Sequence, residues 1–410
     1  MSKLDKLICE LCPNGVEYRA LGDVCKLITG ATPSKKLSSY WNDGTIPWMS
    51  SGEVSLKRVW STEAKITQLA YDKTSTTLVP PHSIVIALAG QGKTRGKVAI
   101  TEIELCTNQS LCSIVCSNEL DYKFLYYYLD GKYEELRSIS NGDGSRGGLS
   151  LKILSPYKIP VPPLDVQREI VRILDNFTEL TAGLTAELTA ELTARKKQYE
   201  YYRDKLLTVD KTTKVVPLRE VVKHSCSGGT PTKGVVEYYE KGNIPWIRTQ
   251  DVRFNEIYGV DSYITEKAVE KTSAKWIPKN CVIVAISGAS AGRCAINRIR
   301  ATTNQHCLNL EIDPQQALYR YVFHCISCKY QELLGKKQGA RGDLNSTLIL
   351  DTEIPLPALI EQERLVSILD RFDALCNDLT SGLPAEIAAR QKQYEFYRDK
   401  LLTFKERISI

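Results

Sequence analysis

A strand followed by Gly-Lys-Thr, at residues 83–94, is the first segment of this sequence with residues that could do chemistry, because this ending is typical of phosphate-binding loops. The first glycine of such a loop would fall at Ala87, however, and residues 95–100 look like a second strand instead of the helix whose N-terminus would hold phosphates. The corresponding residues 288–296 contain no Gly-Lys-Thr. The segment therefore predicts a hairpin with a glycine-rich loop and argues against nucleotide binding.

Three kinds of loop carry side chains suited to DNA. The hairpin loops carry lysine and arginine, although a hairpin that is merely solvated is the alternative interpretation. Two glycine-rich loops, at residues 141–148 and 338–343, combine an arginine, which pairs bidentately with phosphate or guanine, with glycines that let backbone amides approach phosphate. The loops after the two Ile-Pro-Trp sequences add polar side chains, and the tryptophans are predicted to belong to the core. The predicted DNA-binding residues are Ser50, Ser51, Lys93, Arg95, Lys97, Asn141, Ser145, Arg146, Arg248, Gln250, Arg253, Ser290, Arg293, Lys337, Arg341 and Asn345.

Thirteen cysteines include two pairs with the Cys-x-x-Cys spacing of zinc ligands, Cys9/Cys12 and Cys325/Cys328. The two pairs do not occupy corresponding places in the repeat described below, and the second pair falls inside an apparent helix. We therefore expect reduced, mostly buried thiols and no metal site. A zinc ion that joins the two pairs is the alternative.

Residues arranged for catalysis are missing from the sequence. It contains no Asn/Asp-Pro-Pro-aromatic motif, no glycine-rich cofactor loop between a strand and a helix, and no repeated histidine or carboxylate cluster. Only four histidines are present, and His306 has Ser110 as its counterpart. The sequence thus predicts a chain that is not an enzyme and binds no cofactor of its own.

An internal duplication organises the chain. Residues 194–207 return as residues 389–402 with all but two positions identical, at an offset of 195. Upstream, the sequences Gly-x-Thr-Pro, Ile-Pro-Trp and Thr-Asn-Gln of the first half recur in the second half at nearly the same offset. The plan is therefore variable half, constant segment, variable half, constant segment. The predicted bounds of these parts are 1–160, 161–209, 210–355 and 356–410.

Composition is that of a globular protein, with 43% apolar and 25% charged residues in a chain of 410. No apolar run is long enough to span a membrane and no signal peptide opens the chain, so we expect a cytoplasmic location. The net charge is +6, and the excess of lysine and arginine lies in the variable halves. This distribution fits a nucleic-acid contact in those halves.

The first constant segment reads as one helix of roughly 60 Å, because apolar residues recur at spacings of three and four and no proline interrupts residues 164–207. The second constant segment has a similar stripe but contains Pro384, which would kink or loosen a helix. Stripes of this length need a partner, so we infer that the two helices pack on each other. Packing of each helix on its own globular half is the alternative. The residues predicted to form this contact between the helices, called the spacer residues below, are Phe177, Leu180, Leu184, Leu188, Leu192, Phe372, Leu375, Leu379 and Leu383.

These sequences resemble the specificity subunit of type I DNA restriction–modification systems. The likeness is carried by Cys-Pro-Asn-Gly-Val at residues 12–16, by Leu-Gly-Asp-Val at residues 21–24, and by the Gly-x-Thr-Pro and Ile-Pro-Trp sequences. The start (Pro-Pro/Ala-Leu-x-x-Gln) and the end (Lys-Gln-Tyr-Glu-Tyr/Phe-Tyr-Arg) of each constant segment add to it. The tandem Leu-Thr-Ala-Glu of residues 184–192 is similar to the family's central tetrapeptides. The likeness covers essentially the whole chain.

The resemblance implies an α+β fold with two mixed α/β target recognition domains, separated by two long antiparallel helices that form a coiled-coil spacer, in an internal pseudo-two-fold repeat. Each domain would read one half of a bipartite, asymmetric site in double-stranded DNA. The helices would set the gap between the half-sites and dock two methyltransferase subunits, which restriction subunits with translocase and nuclease activity would join. S-adenosylmethionine, ATP and Mg are expected in those partner subunits and not in this chain.

Two other classes of function stay open at this stage. One is a self-contained restriction or modification enzyme, which the missing motifs argue against. The other is a coiled-coil interaction scaffold without DNA specificity, which would show no salt-dependent binding to DNA.

Overall fold

The computed structural model describes residues 2–90, 94–140, 148–208, 213–336, 343–377 and 382–407. The strands of the first globular half are β1 (Tyr18–Ala20), β2 (Cys25–Thr29), β3 (Ile46–Met49), β4 (Arg58–Val59), β5 (Ala64–Ile66), β6 (Leu78–Val79), β7 (Ile84–Ala87), β8 (Val98–Thr101), β9 (Leu105–Thr107), β10 (Leu111–Cys116) and β11 (Lys158–Pro160). Its helices are α1 (Lys3–Leu11), α2 (Leu21–Val24), α3 (Gln68–Lys73), α4 (Tyr122–Gly131), α5 (Tyr133–Ser138) and α6 (Leu151–Leu154). The strand predicted at the start of residues 83–94 is confirmed as β7.

Two main sheets build this half. One has five strands in the order β2-β10-β7-β8-β4, the other has four in the order β5-β3-β9-β6, and β1 pairs with β11. All four residues of β7 are buried, as expected for a central strand covered on both faces. Strand β8 runs antiparallel to β7, which confirms the predicted hairpin around the Gly-Lys-Thr segment.

The long helix predicted in the first constant segment is confirmed as α7 (Leu164–Leu206), which runs for 43 residues. Buried Gln167 ties its first turn to the first globular half. The Gln167 Oε1 accepts the backbone N–H of Asp121 at 2.7 Å, and its Nε2 donates to the carbonyls of Glu119 (2.9 Å) and Pro162 (2.7 Å). These three bonds explain the glutamine in the Pro-Pro/Ala-Leu-x-x-Gln sequence.

The second globular half repeats the first. Its strands are β12 (Val215–Pro217), β13 (Val222–Ser227), β14 (Ile244–Ile247), β15 (Asn255–Ile257), β16 (Tyr263–Ile264), β17 (Trp276–Ile277), β18 (Val282–Ala285), β19 (Cys294–Asn297), β20 (Ala301–Thr303), β21 (Cys307–Ile312) and β22 (Glu353–Pro355). Its helices are α8 (Glu266–Lys271), α9 (Tyr319–Cys328), α10 (Tyr330–Gly335) and α11 (Ser346–Leu350). The sheet orders, β13-β21-β18-β19-β15 and β16-β14-β20-β17, match those of the first half strand for strand.

The second constant segment forms two helices, α12 (Leu359–Asn377) and α13 (Leu383–Leu401). Pro384 is the second residue of α13, where the first helical turn needs no backbone donor, so it lies at a helix start and not at a kink. The predicted spacer residue Leu379 lies outside the described residues. Gln362 in α12 repeats the role of Gln167, because its side chain bonds to backbone groups of the loop before α9.

Contacts divide the chain into two compact units, Met1–Ala186 with Ala388–Ile410, and Glu187–Ile387. The first copy of the repeated sequence, residues 194–207, belongs to the second unit, and the second copy, residues 389–402, belongs to the first unit. In the first unit the two chain ends meet, with the Val16 N–H donating to the Lys405 carbonyl at 2.8 Å. Each unit therefore combines one globular half with parts of both constant segments.

Both packing alternatives for the helices are found within each unit. In the first unit the rings of Phe177 and Tyr397 lie 5.9 Å apart, and in the second those of Tyr202 and Phe372 lie 5.8 Å apart. Residues of the first turns of α7, such as Val166, are buried in the core of the globular half. The helices thus pack on each other and on the sheets.

The predicted spacer stripe is only partly buried. Leu180 is 63% exposed and Leu375 is 39% exposed, so neither lies in a continuous helix–helix core. Phe177 is exposed as well, the half-buried members of the stripe are Leu184, Leu188, Leu192 and Phe372, and Leu383 is buried.

One carboxylate in each unit bonds the entry helix to the globular half. Asp175 of α7 accepts from Lys123 Nζ and from the Tyr127 hydroxyl, both at 2.7 Å. The equivalent Asp370 of α12 lies 2.8 Å from His324 Nε2 and accepts from Arg320 Nε at 3.0 Å. Burial raises the pKa of Asp370, but the hydrogen bonds from His324 and Arg320 outweigh it, so the net pKa lies below the ordinary value.

In the part of the chain that the structure describes, no helix combines the length and apolarity needed to cross a membrane.

Candidate nucleic-acid interface

A pair of parallel strands brings two loops to one sheet edge in each half. Met49 of β3 lies beside Thr107 of β9, and Ile247 of β14 lies beside Thr303 of β20. Because parallel strands end at the same edge, the residues that follow them emerge together. The Asn108 N–H donates to the Met49 carbonyl at 3.1 Å, which fixes this meeting.

The hairpin loop and the end of the glycine-rich loop join this edge. In the first half the Leu88 N–H donates to the Ser110 carbonyl, and the Leu149 N–H donates to the Leu88 carbonyl, both at 2.8 Å. The second half has the same two bonds, from Ile286 and Leu344, at 2.9 and 2.7 Å. The described residues that flank the hairpin loops and follow the glycine-rich segments therefore lie beside the residues that follow the parallel strands. We name the two edges the first strand-end site (Ser50, Ser51, Asn108, Gln109 and Ser110) and the second strand-end site (Arg248, Gln250, Asn304, Gln305 and His306).

The Gly-x-Thr-Pro loop braces the first strand-end site. The Trp48 Nε1 donates to the Ala31 carbonyl at 3.0 Å, and the Thr32 hydroxyl donates to Gln109 Oε1. A Cβ on Gly30 would lie 1.9 Å from the Thr107 carbonyl oxygen, so only glycine fits there.

The second strand-end site is braced in the same way. The Trp246 Nε1 donates to the Gly229 carbonyl at 3.1 Å, and the Thr230 hydroxyl donates to Gln305 Oε1. A Cβ on Gly228 would lie 2.0 Å from the Thr303 carbonyl oxygen. Both bracing tryptophans are buried, which confirms that they belong to the core.

Several predicted DNA-binding residues lie at these edges. Ser50 and Ser51 are half-buried, and the Ser50 N–H donates to Glu53 at 2.6 Å. Arg248 takes the place of Ser50 in the second half, and its guanidinium lies 6.0 Å from the Trp246 ring centroid. The Arg248 Nε is buried and has no hydrogen-bond partner among the described residues.

Gln250 is exposed beside Arg248 at the second strand-end site. Arg253 donates from Nε to the Gln250 carbonyl at 2.5 Å, so it supports the turn that presents this glutamine. The second edge therefore offers a half-buried arginine and an exposed amide, whereas the first offers two hydroxyls.

Other predicted residues are placed away from these edges or have structural roles. Arg95 is only 9% exposed, so little of it is available to a ligand. Lys97 lines a cleft of about 490 Å³ together with Asp130 and Arg398, near α13. Asn345 caps α11, because its Oδ1 accepts the Leu348 N–H at 2.8 Å.

The second hairpin loop provides two further predicted residues. Ser290 and Arg293 are half-buried, and the Arg293 N–H donates to the Ser290 carbonyl at 3.0 Å, which closes the turn. The predicted residues that lie outside the described part of the chain are Lys93, Asn141, Ser145, Arg146, Lys337 and Arg341.

Sequence reasoning missed Thr32, Thr230, Gln109 and Gln305 as site residues. The signal was present, because the Gly-x-Thr-Pro and Thr-Asn-Gln sequences occur in both halves. What the sequence did not show is that the two short motifs bond to each other, since about 75 residues separate them.

The cysteines form no metal cluster within the described ranges, where no group of three or more His, Cys, Asp or Glu side chains is arranged to hold an ion. Cys325 is buried, and burial raises the pKa of its thiol to about 12. Cys328 lies 3.2 Å from the Asp204 carboxylate in the same unit. One thiol of this pair is therefore buried in the core, and the other contacts a carboxylate of the same unit.

Comparisons with known proteins cover nearly the whole chain. The family model described as the type I restriction modification DNA specificity domain matches residues 13–194 and again residues 210–389. The chain is 34% identical to the Escherichia coli type I restriction enzyme EcoR124I/EcoR124II specificity subunit, over 98% of this chain and 97% of that protein.

Two solved structures share the fold. One chain, from work on complex assembly and conformational transition of the type I R-M system, has a TM-score of 0.70 at 16% identity, with 95% of this chain and 98% of that chain covered. The HsdS subunit from Thermoanaerobacter tengcongensis has a TM-score of 0.52 at 16% identity, with 96% and 97% covered.

Proposed function

Because the chain belongs to the type I restriction–modification DNA specificity family, we propose that it is the DNA-reading subunit of such a system, and that each globular half reads one half of a bipartite site. The observation that carries this proposal is the double match of the family model, once to each half, together with the strand-end site that both halves repeat. A specificity subunit is not itself catalytic, so methylation and cleavage belong to other subunits.

The two half-sites differ under this proposal, because the two strand-end sites carry different side chains. Serine hydroxyls make single hydrogen bonds to either kind of base pair, whereas an arginine such as Arg248 pairs bidentately with guanine. Exposed Gln250 adds an amide that suits adenine. The site read by the whole chain is therefore asymmetric.

The constant segments supply the surface for the partner subunits. Tyr201 is 61% exposed and its equivalent Phe396 is 63% exposed, each at the same place in its copy of the repeated sequence. Exposed aromatic side chains are typical of protein–protein contacts, and two equivalent sets support two methyltransferase subunits. Restriction subunits would join this assembly, and S-adenosylmethionine, ATP and Mg would bind to the partners.

Methylation mapping of host DNA tests the proposal. The methyltransferase subunit is expressed with and without this chain, and modified bases are mapped across the genome. We expect a modified motif of two short half-sites around a fixed gap, present only with the chain. Absence of any chain-dependent motif would contradict the proposal.

A salt series separates the proposal from an interaction scaffold. The affinity of a DNA reader for duplex DNA falls steeply as salt rises, because phosphate contacts release counterions. A scaffold without DNA specificity shows no such dependence.

Insertion of one further Leu-Thr-Ala-Glu in residues 184–192 tests the spacer role. The insertion lengthens α7 by roughly 6 Å, while each base pair of duplex rises about 3.4 Å. We expect the gap in the methylated motif to grow by about one or two base pairs, with both half-sites unchanged. An unchanged gap would contradict a spacer role for α7.

A further inference from the structure

An exposed glutamine is held in the same way at both strand-end sites. Gln109 and Gln305 are both exposed, yet a threonine hydroxyl fixes the Oε1 of each side chain. Holding an exposed side chain costs conformational entropy, and here two distant segments of each half combine to do it. The arrangement has been kept in both halves although the residues around it have changed.

The fixed oxygen determines what each glutamine can offer. With Oε1 engaged by threonine, the Nε2 group is left as the donor. Gln109 Nε2 makes no hydrogen bond with the described residues, and Gln305 Nε2 lies 3.1 Å from Nε2 of the exposed His306, a contact that can engage only one of its two N–H groups. Each site thus presents amide N–H groups at its sheet edge.

The neighbours of the glutamines differ between the halves. Ser50 in the first half corresponds to Arg248 in the second, and Ser110 corresponds to His306. A group that is the same in both halves cannot account for a difference between the two half-sites, whereas the groups that differ can.

We propose that Gln109 and Gln305 are DNA-backbone contacts shared by the two halves: each donates from Nε2 to a phosphate oxygen and sets the position of the duplex, while the differing neighbours read the bases. Neutral amide side chains are common donors to phosphate, and such contacts fix register without carrying sequence information. The inference rests on the proposed function, since it names the ligand group of the same site.

The test uses the full chain in complex with its methyltransferase partner, with a mixed-sequence DNA duplex as the probe. Gln109→Glu and Gln305→Glu keep an oxygen for the threonine hydroxyl but place a negative charge against phosphate. We expect each to weaken binding roughly tenfold, and the double variant to weaken it roughly a hundredfold, because the two glutamines belong to different compact units and their effects should add. Gln315→Glu, on an exposed turn away from these edges, makes the same charge change and should leave binding unchanged.

A second pair of variants separates a phosphate contact from a structural role. Gln109→Ala and Gln305→Ala should weaken binding by a smaller factor, with the salt dependence unchanged, since a neutral side chain releases no counterion. The methylated motif should also stay the same. Unfolding midpoints of all variants, compared with the parent, verify that the sites are intact.

Three outcomes would count against the inference. Glutamate variants that bind the duplex like the parent would overturn it, and so would a glutamine variant that changes the methylated motif, because the glutamine would then read a base. A parent complex that does not bind duplex DNA in a salt-dependent way would overturn the proposed function, and this inference with it.

Discussion

The two junctions between helix and globular half share their geometry but not their chemistry. In the first unit Asp175 receives bonds from a lysine and a tyrosine, whereas in the second unit Asp370 receives them from an arginine and the buried His324. The glutamine contacts at the helix starts, by contrast, are the same in both. The difference indicates that contacts with backbone groups are shared by the two units, whereas contacts between side chains have been free to diverge. The strand-end sites differ from the junctions in this respect, because there one contact between side chains, from a threonine hydroxyl to a glutamine Oε1, is also shared by the two halves.

Removal of the glutamines at the helix starts should have the largest effect, and an equal one in both units. Gln167→Ala and Gln362→Ala each leave backbone groups unsatisfied in a buried place, which we expect to cost about 3 kcal/mol of local stability. Hydrogen exchange of α4 and α9 reads the two units separately. The exposed Gln68→Ala is the matched control, and a large effect in only one unit would break the equivalence.

Removal of the carboxylates should have unequal effects. Asp370→Ala leaves Arg320 and fully buried His324 without this partner, and we expect a loss of about 2 kcal/mol. Asp175→Ala affects the half-buried Lys123 and the Tyr127 hydroxyl, so about 1 kcal/mol is expected. The same exchange measurement compares them, and equal losses would show that the buried histidine makes no difference.

Lowering the pH should remove the stability that Asp370 contributes to the junction in the second unit. Burial raises the pKa of Asp370, but its hydrogen bonds lower the pKa by more than burial raises it. The folded-state pKa therefore lies below the ordinary value of about 3.9. Such a group contributes stability that is complete above the unfolded pKa and is lost as pH falls through the folded pKa. The difference in exchange protection of α9 between the parent and Asp370→Asn should therefore be constant near neutral pH and shrink below about pH 4. A difference that persists at lower pH would contradict this assignment.

The smallest effect has the opposite sign. Gly183 lies within α7 with nothing within 4 Å of an added Cβ, so Gly183→Ala should stabilise the helix by about 1 kcal/mol. Gly30 is the comparison, because a Cβ there would lie 1.9 Å from the backbone carbonyl oxygen of Thr107. The midpoint temperature of thermal unfolding should rise for the first variant and fall for the second. A lower midpoint for Gly183→Ala would contradict the open space found around this glycine.

Much of this fold could be predicted from the sequence, because periodicity and repetition are local signals. Period-three and period-four spacing predicted α7 to within a residue or two, and the two hairpins followed from apolar runs around glycines. The break between α12 and α13 could not be placed, since Pro384 is compatible with a kink as well as with a helix start. Nor could the exposure of Leu180, because the spacing of apolar residues does not show which of them meet a partner.

The site was harder to predict than the fold. Arg95 has the charge of a DNA contact, but its burial depends on packing that the sequence does not show. Asn345 is as suitable for a helix cap as for a base edge, and only the position of α11 decides between them. The bond between Thr32 and Gln109 joins segments that are distant in sequence, so neither motif predicts it alone.

The central claim is that each half reads its own half-site, and methylation mapping of an Arg248→Ala variant tests it most directly. The parent complex should modify one bipartite motif. The variant should modify a motif in which one half-site is relaxed or lost in stringency, while the other half-site and the gap are retained. Changes in both half-sites, or a motif identical to that of the parent, would contradict the assignment of one strand-end site to one half-site.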